Sequence, residues 1–115
     1  MTVSRALSLF VAAILVGPAL VGPALAQAED GRVAAGCMSI YTTQRGLAEG
    51  AAREDVEARL KRTLRRLQRA APDPKDGQAL VAQEATALRA RITGAGDRQA
   101  LFAELQRACD AWLDG

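Results

Sequence analysis

Two cysteines, Cys37 and Cys109, stand one near each end of the globular part of this chain, and there is no third. Two cysteines allow one intramolecular pairing, and that pairing would tie the beginning of a fold to its end. Closing a loop of that length stabilises a domain by about 4 kcal/mol in the chain-entropy account. That is a large share of the roughly 5–15 kcal/mol a domain typically has. A pair of free buried thiols and a bridge between two chains are the competing readings. A CxxC redox pair is absent.

Whether the pair oxidises depends on compartment, and the N-terminus speaks to that. The opening MTVSRALSLFVAAILVGPALVGPALA carries one positive charge at Arg5, then an apolar and small-residue run, with no acid before Glu29. This is the three-part layout of a secretory signal peptide. Ala24-Leu25-Ala26 places small residues where a signal peptidase probes, so cleavage is expected after Ala26, or two residues later at Ala26-Gln27-Ala28. A retained transmembrane anchor is the alternative, because a run of about 20 apolar residues can span a bilayer. Gly17-Pro18 and Gly22-Pro23 interrupt its second half, where a spanning helix needs an intact hydrogen-bond ladder. Val33-Ala34-Ala35-Gly36-Cys37 looks like the box at which bacterial lipoproteins are acylated, but Glu29, Asp30 and Arg32 separate it from the apolar run. The expected organisation is a signal peptide over residues 1–26 and an exported helical domain over 27–115. Richness in Ala, Arg, Leu and Gly suits a GC-rich bacterial genome, so the periplasm is the expected destination.

Removing 26 of the 115 residues leaves 89, enough for one modest core. Only Arg5 of the 15 basic side chains lies in the leader, so 14 bases face 13 acids and the formal charge is +1. Whole-chain electrostatic steering does not follow from so small a charge.

The exported part is rich in strong helix formers and poor in aromatic and β-branched residues, with Gly and Pro spaced as helix punctuation. Four helices are expected. The first runs from about Glu29 to Ala48 with Val33, Cys37, Ile40 or Tyr41 and Leu47 inward, and Gly50 as its stop. The second, about Arg53 to Ala70, carries the clearest stripe in Val56, Leu60, Leu64 and Leu67, and Pro72 and Pro74 end it. The third, about Gln78 to Thr93, aligns Val81, Ala85, Leu88 and Ile92 in a thin apolar face before Gly94-Ala95-Gly96 breaks it. Asp97 is a good N-cap for the last, whose Leu101, Phe102, Leu105, Ala108, Cys109, Trp112 and Leu113 form the widest apolar face. Cys37 and Cys109 both face inward, so their bridge would clamp the first helix to the last. The expected fold is all-α, a small antiparallel bundle of about four helices closed by one disulfide. Three helices with a loose first segment is the runner-up.

Many chemistries are excluded. The chain has no histidine, which removes the commonest general base, the usual haem ligand and most zinc-site nitrogens. Beyond the leader only Ser39 remains as a serine, with distant Lys61 or Lys75 as its sole bases. No GxGxxG, phosphate-binding loop or CxxCH occurs. Glu49, Glu84 and Glu104 could approach one another across a bundle, so an enzyme with paired carboxylates is one alternative, although exposed helix acids are ordinarily solvated. No catalytic, cofactor or metal-ligating set is assigned, and no cofactor is expected.

The feature that departs from a generic bundle is the basic face of the second helix. Arg59, Arg62, Arg66 and Arg69 recur at helical spacing, with Lys61 and Arg65 alongside. Asp55 and Glu57 stand four residues before Arg59 and Lys61, whereas Arg62, Arg65, Arg66 and Arg69 have no acid so placed in their own helix. Arg59, Arg62, Arg65, Arg66 and Arg69 are therefore the candidate interaction surface, against the plainer reading of a solvated face balanced by acids on neighbouring helices. Nucleic acid fits poorly, because the compartment is wrong and aromatics are scarce. Membrane binding after signal cleavage is disfavoured because the opposite stripe lacks Trp and Phe and is needed for the core. Tyr41 and Trp112 read as core rather than as a ligand pocket. The leading expectation is a non-enzymatic exported protein acting through contacts with another protein, possessing an acidic surface. A small periplasmic stress chaperone that exposes apolar surface is the other alternative, by outline alone.

Overall fold

The computed structural model describes residues 26–115. The leader, apart from Ala26, and the expected cleavage site's upstream side lie outside the described residues. What is described is four helices and no strand: α1 over residues 26–47, α2 over Gly50–Ala70, α3 over Pro74–Thr93 and α4 over Arg98–Asp114.

The cross-helix bonds give the directions. Gln27 of α1 donates to the carbonyls of Arg69 and Ala70 at the end of α2. Asp30 near the start of α1 accepts from the Trp112 indole near the end of α4, while Tyr41, eleven residues on, donates to Asp110. Helix α1 is thus antiparallel to α2, while the last turns of α4 meet α1 along residues 30 to 41. The Cys37–Cys109 disulfide is formed, with Cα atoms 5.6 Å apart and 72 residues between the two positions. It joins α1 to α4 as their inward-facing positions foretell.

The core gathers around that bridge. Cys37, Ile40 and Tyr41 of α1 pack with Val56 and Leu60 of α2 and with Cys109 and Leu113 of α4. A second cluster joins Ala34 and Ala35 to Leu67. Small residues are what let α1 lie this close. A Cβ on Gly31 would meet the Ala70 Cβ at 3.3 Å, tighter than ordinary van der Waals contact. Thr63 is fully buried although polar, because its hydroxyl donates to the Arg59 carbonyl one turn back at 2.8 Å.

Several boundaries differ from expectation, each for a local reason. Gly50 does not stop α1; it opens α2 at φ 60°, the left-handed conformation that glycine adopts without penalty. Helix α2 therefore begins three residues before Arg53, carried by Ala51 and Ala52, and no acid lies in its first turn. Pro74 does not merely end α2 but sits in the first turn of α3, where its missing N–H is harmless, with the Asp73 carboxylate accepting from the Lys75 amide. Asp97 caps α4 as its sequence suggests, accepting from the Ala100 amide at 3.0 Å.

Two expected core leucines are not in the core. Leu47 is 78% exposed and Leu64 is 40% exposed. Leu47 falls in the last turn of α1, with Gly46 before it and the loop to α2 after it. Leu64 lies at the border of the α2 stripe, where α3 leaves it partly uncovered. Helix α3 is thinly packed throughout: Val81, Ala85, Leu88 and Ile92 are only half-buried, and Gly77 alone is buried there.

Candidate functional site

Helix α2 presents three sides, and each does something different. The inward side, Val56, Leu60, Thr63 and Leu67, belongs to the core. The other two carry the chemistry.

One of them carries Arg59, Arg62 and Arg66, and it faces the end of α4. Arg66 donates to the Trp112 carbonyl at 2.7 Å and to the Leu113 carbonyl at 3.0 Å, with its guanidinium stacked over the Trp112 ring at 4.6 Å. Arg62 donates to the same Leu113 carbonyl at 3.1 Å and pairs with Asp114 at 3.2 Å. Arg59 reaches Asp110 at 3.1 Å, Asp114 at 3.7 Å and Asp55 of its own helix at 3.4 Å. The last carbonyls of a helix lack intrahelical donors and sit at its negative end, so guanidinium forks are well matched to them. Arg62 and Arg66 act as a cap for α4 supplied by a neighbouring helix, and Arg59 pairs with its carboxylates.

Asp110 is the hub of this junction. Its Oδ1 accepts from the Tyr41 hydroxyl at 2.6 Å and from Arg59 at 3.1 Å. Burial, followed by the adjacent Asp110 charge, pushes the Tyr41 phenol well above its ordinary value of 10.0. Burial pulls the Arg59 guanidinium down, but the Tyr41 hydroxyl, Asp110 and Asp55 together hold it above its ordinary value. Both groups keep their protons throughout the physiological range.

The sequence therefore placed five arginines in one candidate surface, and the structure divides them. Arg59, Arg62 and Arg66 are bonded to α4. Arg65 and Arg69 are exposed, as is Lys61, and among the described residues none of these three has an ion pair.

The third side of α2 carries Leu64 and borders a groove of about 630 Å³ between α2 and α3, lined by Met38, Leu64, Leu67, Pro72, Pro74 and Val81 among others. Only the amides of Gln68 and Gln78 interrupt its apolar lining. A second hollow of about 440 Å³ shares Met38 and Leu64 with the first and continues between α1 and α2, with Arg45, Glu57 and Lys61 on its walls. Nothing in the sequence announced this groove, because its walls come from three helices and its central residue looks like core.

The three candidate carboxylates do not line one hollow. Glu84 lines a hollow of about 500 Å³ beside the disulfide together with Glu29, Arg32 and Arg91. Glu49 is the exposed N-cap residue of α2, without a side-chain capping bond, and Glu104 is an exposed residue of α4 outside that hollow. Among the described residues no group of three or more Cys, Asp or Glu is placed to hold a metal ion. Comparison of the chain with protein families, with curated proteins and with solved structures returns no match, so the functional reading rests on the residues themselves.

Proposed function

We propose that this is an exported, disulfide-closed helical protein that works by binding another protein and not by catalysis. The observation that carries this reading is the open groove over Leu64. An apolar hollow of about 630 Å³ bordered by a 40% exposed leucine offers concave apolar surface on which a partner's side chains can be buried. Export is supported by the leader-like N-terminus together with the Cys37–Cys109 bridge, since disulfides persist in oxidising compartments. No helix among the described residues is long and apolar enough to cross a membrane.

Two measurements test the reading. The protein recovered from a periplasmic fraction should have the mass of a chain beginning at Gln27 and contain no free thiol; recovery from the cytosol with both thiols alkylatable would refute export. A photo-crosslinking residue at Leu64 should give a protein adduct in cells, while the same residue at exposed Gln83 of α3 should not. Adducts absent from Leu64, or equal at both positions, would remove the binding role.

A further inference from the structure

We propose that the groove over Leu64 accepts an acidic amphipathic helix of the partner protein, its apolar stripe seated on Met38, Leu64 and Val81 and its acids facing Arg45 and Lys61. This rests on the binding role proposed above and names the chemistry of the partner.

Three observations point to this occupant. The first is length. The two hollows share Met38 and Leu64 and together follow α2 from Glu57 to Ala71, about 20 Å at the helical rise per residue, the reach of roughly four helical turns. Helix-in-groove recognition uses anchors at three- and four-residue intervals over such a span. The second is charge. Arg45 and Lys61 line the hollow, are exposed and have no ion pair among the described residues. The one acid on that wall, Glu57, is engaged by Arg53 at 3.5 Å. Arg65, next to Leu64, extends the positive field outward. An acidic segment would therefore be steered to the groove and a basic one repelled. The third is shape. The floor is concave and carries no Trp or Phe, so a planar lipid surface would leave it unfilled. A second copy placing the same face there would bring the Arg45 and Lys61 of both copies into one interface with only Glu57 of each to offset them.

The test uses the full disulfide-closed protein and a dye-labelled synthetic peptide of about 14 residues, leucines at three- and four-residue intervals and glutamates elsewhere. Anisotropy should report saturable binding. A scrambled peptide of the same composition, and a version with lysine for glutamate, should each bind about tenfold or more weakly. Leu64→Asp, and separately Arg45→Glu with Lys61→Glu, should each weaken binding about tenfold. All three positions are exposed enough that circular dichroism and thiol content should match the parent. Equal binding of the lysine peptide, or full binding by Leu64→Asp, would overturn the proposal. So would retention on phosphatidylglycerol vesicles without peptide binding, or a Leu64-dependent dimer in sedimentation. If the peptide fails to bind while the Leu64 crosslink in cells persists, this inference falls and the wider binding role stands. If the crosslink fails, the wider role falls whatever the peptide does.

Discussion

At the end of α4, every residue from Cys109 to Asp114 except Ala111 is tied to another helix, by the disulfide, by hydrogen bonds and ion pairs, or by burial of Leu113. Along the groove between α2 and α3, Leu64 borders a hollow that no other helix fills and stays 40% exposed. Both regions are built from the same helix, α2, one from its arginines and one from its leucine. The difference teaches that the arginines facing α4 are engaged by the fold, whereas Leu64 and Lys61, Arg65 and Arg69 of the same helix, unpaired among the described residues, remain exposed. Arg59, Arg62 and Arg66 hold the fold together, and the apolar border of the stripe stays free.

That contrast can be broken or sharpened by mutation, starting where the effect should be largest. Replacing Cys37 and Cys109 by Ser should lower the unfolding free energy by about 4 kcal/mol, read from denaturant midpoints. An unchanged midpoint would mean that the other contacts of α4 suffice without the bridge. Leu67→Ala, in the buried part of the stripe, should cost about 3 kcal/mol. Asp110→Ala removes the shared acceptor of Tyr41 and Arg59 and should cost about 1–2 kcal/mol, the range discounted because the carboxylate is partly exposed. Leu64→Ser should change stability by less than about 0.5 kcal/mol, since it sits on open surface. A loss at Leu64 as large as that at Leu67 would erase the distinction between the two regions.

Alkali probes the junction without mutation, because Tyr41 is the only tyrosine in the chain. Its phenol is raised in the folded protein above the unfolded value of 10.0, so the folded state holds the proton more tightly. The stabilisation is fully present below about pH 10 and is lost as pH climbs from there through the folded value. Tyrosinate absorbance should rise together with loss of helicity. A simple ionisation near 10.0 in a protein still folded would show that Tyr41 is not held by Asp110.

Much of the architecture was legible in the sequence. Helix number, the Asp97 cap, the inward setting of both cysteines and the buried Val56, Leu60 and Leu67 all follow from periodicity and punctuation. Leu47 and Leu64 were misread because periodicity reports which residues share a side and not whether another helix covers it. The arginines show the complementary limit. Spacing within one helix reveals partners four residues away, whereas Arg59 and Arg62 find Asp110 and Asp114 at separations of 51 and 52 residues. Thr63 was passed over because its polarity is neutralised by a bond to its own backbone. The groove was out of reach for the same reason as the arginine cap: it exists only once α1, α2 and α3 have been brought side by side.

The placement of the junction also orders events in time. Asp30, Cys37, Tyr41, Arg59, Arg62 and Arg66 are all made before the α4 residues that answer them. Until α4 emerges, α1 and α2 lack their lock. A chain arranged in this way gains its cross-helix bonds only after its final helix has been made.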